Sequence, residues 1–295
     1  MGSSYGIKFW GTRGLISSPR KETAVYGGNT TCMQIVYKDH LIIVDTGFGA
    51  CNLGEKLMQQ ILAEKAKLQI HIFYTHFHWD HIQGLPFFHP IYFNSTTLNI
   101  YSPLPVNVAY QNLDQLFDGS YSPFSGISSM ASTININEFS KAVMLDGLMI
   151  DFCPVDHSDK EDSSHCFALK FKAPTGETIV IATDHEARDN EKNKELIKFA
   201  KGATILVHDA QFTPDEYANR QGWGHSTMNA ALQNGVAAKA ERVLLTHHHP
   251  LRSDQEIAAA LMKFKASEEF KGISFDFAKE LAHYEAVSTK TKRSA

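Results

Sequence analysis

Only four cysteines occur in the 295 residues, and Cys32, Cys51, Cys153 and Cys166 form no Cys-x-x-Cys pair. Each lies in or beside an apolar segment, which argues for small buried hydrophobes rather than disulfides or thiolate metal ligands. That usage suits a reducing compartment, and a cytoplasmic protein is expected. An excess of basic charge is missing too: 28 Lys and Arg stand against 32 Asp and Glu. The broad basic face of a dedicated nucleic-acid binder is therefore not visible. The one basic cluster is the terminal "STKTKRSA", read as a short solvated tail. No apolar run approaches the length of a membrane span. The opening "MGSSYGIKFW" lacks the basic-then-apolar pattern of a secretory signal, and its GSS reads equally as native or as an expression scar. With 43% hydrophobic and 20% charged residues, the composition is that of an ordinary globular protein able to bury a sizeable core.

What the chain does have is histidine in an unusual arrangement. The stretch "YTHFHWDHIQGLPFF" places His76, His78, Asp80 and His81 directly after the apolar "LQIHIFY", which reads as a buried strand. Further His/Asp groups recur where apolar strands end: "PVDHSD" with His157, "ATDHE" with Asp184, "VHDAQ" with His208 and Asp209, "GWGHST" with His225, and "LTHHHP" with His247. Strand-end loops can share one edge of a sheet, so these residues can converge. Neutral imidazole with carboxylate is a ligand set for zinc, manganese or iron. In extended chain, alternate residues point the same way, so His76 and His78 can grip one ion. Asp80 and His81, displaced by the turn into a helix, can hold a second. Burying so many polar groups without an ion would cost several kcal/mol.

The remaining pattern is mixed α/β. Strands are expected at "GIKFWG", in "CMQIVYKDHLIIVD" around a turn at Lys38–His40, and at "TLNIYSP", "STINI", "LMIDFCPV", "HCFALKFKA", "TIVIATD", "ATILVHDA" and "RVLLT". Helices are expected at "LGEKLMQQILAEKAKL", from Asp80 to about Phe88, and at "NEKNKELIKFAK". Two more are "STMNAALQNGVAAKA", capped by Ser226 or Thr227, and "SDQEIAAALMKFKA", capped by Ser253 or Asp254. Residues 103–130 read as a loop-rich insertion around a short helix. No linker divides the halves, so residues 1–295 are expected to form one domain of two mixed sheets with helices outside.

With its "HFHWDH" string and the later strand-end motifs, the sequence resembles the metallo-β-lactamase superfamily over nearly its whole length, from "GTRG" to "LTHHHP". The later motifs look most like the ribonuclease Z and phosphodiesterase branch. The resemblance implies an α/β fold of four layers, an αββα sandwich, with two divalent metal ions at one edge. His76, His78 and His157 would hold the first ion; Asp80, His81 and His247 the second; Asp184 would bridge them. His165 competes with His157, as His248 and His249 compete with His247, and His185 is expected to point away. Asp45, ending "LIIVD", resembles an aspartate that orients a ligand histidine. "VHDAQF" resembles a ribonuclease Z motif in which a glutamate follows the histidine; the shorter Asp209 here leaves its contact with the non-ligand His225 open.

The reaction so implied is hydrolysis of a phosphodiester by attack of a metal-bridging hydroxide, with Asp80, Asp209 and His225 in catalytic parts. No basic arm for transfer RNA is evident. The expected substrate is therefore a small phosphodiester such as a cyclic nucleotide, with no extended nucleic acid and no membrane partner. Phe87, Phe88, Tyr92, Tyr121 and Phe124 are candidates for stacking on a base. Alternatives on the same site are a thioester or lactone hydrolase and a non-catalytic metal-bound sensor. A homodimer is the default by family habit. Zinc heads the list of metals, with manganese or iron as alternatives.

Overall fold

The computed structural model describes residues 5–102, 104–157 and 166–288. In chain order its regular elements are β1 (Gly6–Gly11), β2 (Cys32–Tyr37), β3 (His40–Val44), α1 (Gly49–Glu64), β4 (Leu68–Phe73), α2 (Trp79–Ile82), β5 (Thr96–Ser102), α3 (Val106–Asp114), β6 (Thr133–Glu138) and β7 (Val143–Leu145). They continue with β8 (Leu148–Pro154), β9 (Phe167–Lys172), β10 (Thr178–Ala182), α4 (Glu191–Phe199), β11 (Ile205–Asp209), α5 (Pro214–Tyr217), α6 (Met228–Ala237), β12 (Arg242–Thr246), α7 (Asp254–Lys265), β13 (Ser274–Phe277) and β14 (His283–Glu285).

Two seven-stranded sheets result, ordered β14-β1-β2-β3-β4-β5-β6 and β13-β12-β11-β10-β9-β8-β7. Each is antiparallel on one side and parallel on the other: β3 to β6 run parallel in the first sheet, β10 to β13 in the second. Strands buried on both faces are apolar at nearly every position rather than alternating. In β3, Ile42 and Val44 face the core between the sheets, where they meet Leu169, Phe171, Ile181 and Val207. Ile43 faces the other way, beneath Leu53 and Leu57 of α1. On the far side, Val180, Leu206 and Val243 pack under Ala231 and Leu232 of α6 and Ile257 of α7. The layers are thus helix, sheet, sheet, helix, the four-layer α/β sandwich expected.

Helix starts follow their capping chemistry. Thr227 accepts from Ala230 N at α6, and Ser253 with Glu256 forms a reciprocal capping box at α7. The expected helix from Asp80 to Phe88 is not continuous. Gly84 N–H donates to Thr46 O at 2.8 Å instead of to the helix, and Pro86 brings no N–H of its own. The chain therefore makes the single turn α2 and then a 3-10 turn over Leu85–Phe87. The segment after β5 holds α3 followed by 3-10 turns at Gln115–Phe117 and Ile127–Ser129. Among the described residues, no helix is long and apolar enough to cross a membrane.

Candidate metal centre

The ends of the parallel strands lie along one edge, and the polar residues that follow them turn into a common cleft. The chain leaves β4 into His76–His81, β8 into His157, β10 into Asp184 and β12 into His247, while Asp209 closes β11. Two of these exits, Asp184 (φ 55°) and His247 (φ 60°), adopt left-handed backbone, as does Asp45 (φ 57°) directly after β3. Non-glycine residues rarely take that conformation, and such strain concentrates at functional sites.

Three overlapping four-residue clusters form there among the described residues: His76, His78, His157 and Asp184; Asp80, His81, Asp184 and His247; and Asp184, Asp209, His225 and His247, the last built around the Asp209–His225 pair. In each, the candidate ligand atoms lie within 4.8 Å of one another. Asp184 belongs to all three. Its Oδ1 is 3.0 Å from His81 Nε2 and from His247 Nε2. Its Oδ2 is 3.6 Å from His76 Nε2 and from His157 Nε2.

Neighbours fix which imidazole nitrogen faces the cleft. His81 Nδ1–H donates to Asp45 Oδ2 at 2.8 Å, and Asp45 is itself held by Thr75 N–H and Oγ1–H. His157 Nδ1–H donates to Gly224 O (2.8 Å), His247 Nδ1–H to Gln211 Oε1 (3.1 Å) and His76 Nδ1–H to Thr75 Oγ1 (3.1 Å). Each leaves an Nε2 lone pair pointing inward. His78 differs, presenting Nδ1 2.9 Å from His157 Nε2. Asp80 Oδ2 accepts from Leu15 N–H (2.8 Å).

The electrostatics suit a cation. Burial presses His76 far below its ordinary value and His157 down to about 4, so both are neutral donors of electron pairs. Burial opposes charge on Asp184, but His247, His81 and His76 outweigh it and hold the carboxyl well below the usual range. His81 goes the other way. Burial lowers it, yet the surrounding Asp184, Asp80 and Asp45 charges raise it, a surplus of negative potential that a bound cation would satisfy. Among the described residues, the buried Nε2 of His76 has no hydrogen-bond partner, and that of His81 faces only the Asp184 and Asp80 carboxylates. Orphaned imidazole nitrogens beside ionised carboxylates fit a divalent metal pair.

Asp209 reaches His225 despite its short side chain: His225 Nδ1–H donates to Asp209 Oδ2 at 2.7 Å. Burial alone would depress His225, but the Asp209 charge and hydrogen bond lift it to about 9. The competing histidines face elsewhere. His185 bonds Asn193, His248 donates to Ala278 O, and His249 Nδ1 accepts from Leu251 N–H. His165 lies outside the described residues. Of the expected aromatic contacts, Phe87 and Tyr121 are exposed and Tyr92 and Phe124 half-buried, all lining a cavity beside His78. Phe88 is a correction: it is fully buried, packed over the helix surface left open by Gly54, and cannot touch a ligand.

Three supports went unread in the sequence. Glu186, fully buried, accepts from Tyr217 Oη–H, Gly222 N–H and Gly224 N–H, fixing the loop whose Gly224 carbonyl orients His157. Gly224 has φ 84°, and a Cβ there would lie 1.7 Å from His157 O. A Cβ on Gly14 would lie 2.3 Å from His247 Cε1, so "GTRG" must close against that ring without a side chain. The glycines were visible in quoted motifs; their contacts were not.

Residues 40–248 match the Beta-lactamase superfamily domain. The chain belongs to that superfamily. Its kinship there is with the ribonuclease Z and phosphodiesterase branch, and it is a metal-dependent hydrolase. A ribonuclease Z of Halalkalibacterium halodurans is 25% identical over 246 residues, covering 66% of this chain and 75% of the relative. Unliganded yeast PDE1 shares the fold with a TM-score of 0.66 at 17% identity, covering 95% of this chain and 99% of that one. Human tRNase Z, short form, has a TM-score of 0.62 at 16% identity, covering 96% and 100%. These names overturn one expectation. A small-molecule partner with no extended nucleic acid was inferred from the acidic charge balance and the missing basic arm, yet the superfamily relatives include ribonucleases and a tRNase. Net charge registers the whole surface, whereas a nucleic acid needs only a local path to the site.

Proposed function

We propose that the chain is a phosphodiesterase that cleaves a phosphodiester bond of RNA at a two-cation centre, zinc being the first candidate, with manganese or iron as alternatives. The carrying observation is Asp184, which turns one oxygen toward His81 and His247 and the other toward His76 and His157. In this reading His76, His78 and His157 hold one cation, Asp80, His81 and His247 the other, and Asp184 both. Cations bound there supply Lewis-acid activation of water and neutralise charge on the phosphoryl oxygens.

The chain's own groups do the rest. Asp45, Gly224 and Gln211 aim the ligand imidazoles. Asp209 keeps His225 in its protonated form, leaving Nε2–H to protonate the departing ribose oxygen. The RNA part of the proposal is supported by the relatives' names, and action as a single catalytic domain by the continuous core between the sheets. A cytoplasmic setting is supported by four free cysteines.

The test compares two substrates of zinc-loaded protein, an oligoribonucleotide and bis(p-nitrophenyl) phosphate, beside a chelated control. His225→Ala is expected to lower kcat about 100-fold on the oligonucleotide, whose alkoxide needs a proton, and far less on the nitrophenyl ester. Equal losses on both would remove the proton-donor role. Hydrolysis of thioesters or lactones with no cleavage of either diester would overturn the reading.

A further inference from the structure

Beside the metal centre opens a cavity of about 1190 Å³, with candidate ligand His78 in its wall. Aromatic rings make up much of the remaining lining. Phe48 and Phe87 form one ring pair (centroids 6.0 Å), Tyr92 and Phe124 another (5.4 Å, nearly parallel). Trp79 and Tyr121 stand at 63% and 90% exposure. Large rings left in water beside a reaction centre call for a partner that covers them.

Two features narrow that partner. Among the described residues, no Lys, Arg, Asp or Glu lines the cavity. A phosphate backbone entering it would lose water and gain no counter-charge, so the occupant is uncharged. Among the rings stand the amides of Asn112 and Gln115, each carrying both donor and acceptor. Asn112 is half-buried and Gln115 exposed; an acyl or alkyl chain would offer them no partner, whereas the edge of a heterocycle has groups for both. We propose that this cavity is a nucleobase subsite, taking the base of one nucleoside joined by the scissile phosphodiester while the phosphate lies at the metal centre. The inference rests on the RNA-cleaving reading and adds a specificity to it. It requires the bound strand to be unpaired at that nucleotide, since a base inside a duplex cannot reach the rings.

The experiment uses adenosine 5′-monophosphate, ribose 5-phosphate and cyclohexyl phosphate as probes of the zinc-loaded full chain, by isothermal titration calorimetry. The nucleotide is expected to bind about tenfold tighter than ribose 5-phosphate. Phe87→Ala and Tyr121→Ala, both at exposed positions, should erase that advantage and leave ribose 5-phosphate unchanged. Equal affinity of the two, or an equal gain by cyclohexyl phosphate, would overturn the base subsite while leaving the catalytic reading intact. Loss of every phosphate probe would instead count against the phosphate-binding centre. Adenosine alone then still tests the cavity: saturable quenching of tryptophan emission, lost in Trp79→Phe, is expected, and its absence overturns the proposal.

Discussion

Glu186 shows how much of the centre depends on side chains that never face it. Its carboxylate gathers a tyrosine hydroxyl and two backbone amides, and through Gly224 it determines where His157 Nδ1–H points. Glu186→Gln keeps the shape but replaces one acceptor oxygen with a donor, setting it against an amide N–H. Metal affinity is expected to weaken about 10–100-fold, read by competition with a chromophoric chelator; unchanged affinity would separate the loop from the ligand. At this scale the sequence was half legible. The spacing of His76, His78, Asp80 and His81 exposes its chemistry because strand alternation pairs the first two and the turn into α2 sets the other two beside them. The Asp209–His225 contact could not be read, since a one-methylene difference is decided by how closely β11 approaches the loop before α6. Phe87 and Phe88 are neighbours with opposite fates for the same kind of reason: a 3-10 turn sends one ring outward and one over Gly54.

At the scale of elements, strands and capped helices were legible wherever apolar periodicity ran long enough, and failures fell on short pieces. The strands β7, β13 and β14 have three or four residues each, too few for a pattern, and exist because a neighbouring edge offers hydrogen bonds. Contact between elements brings its own pH dependence. His208 in β11 donates Nδ1–H to Asp209 O and accepts at Nε2 from the Asn234 amide of α6. Burial, with neighbouring His185, depresses its pKa to about 4 from an ordinary 6.5. The unfolded chain therefore takes up the proton first as pH falls. The stabilising share is complete above pH 6.5 and is lost on descent toward pH 4. Urea unfolding across that window should show a shallower pH slope in His208→Asn than in the parent; identical slopes would assign the effect elsewhere. Removing the α7 cap by Ser253→Ala should cost about 1 kcal/mol, seen as a lower urea midpoint with unchanged m-value.

Over the whole molecule, element order pointed to two mixed sheets with helices outside and the family resemblance to the four layers, but the partner followed from neither. A formal charge of −4 described the average surface and said nothing of a local route to the cleft. In the proposed two-cation reading, a bound pair would stabilise the folded chain by mass action. Chelation should therefore lower Tm by several degrees, with hydrogen exchange rising at the exits of both sheets; a rise confined to one sheet would argue against a shared centre.

That centre is divided evenly. His76 and His78 of the first cluster, and Asp80 and His81 of the second, come from the chain before β7; His157, Asp184 and His247 come from after it. Each of these two clusters draws two ligands from either side of residues 139–142, Asp184 counting in both. Cleaved there, the protein would become a complementation pair, each fragment owning half of every coordination sphere. Metal recovered on mixing would then report reassembly of the sandwich.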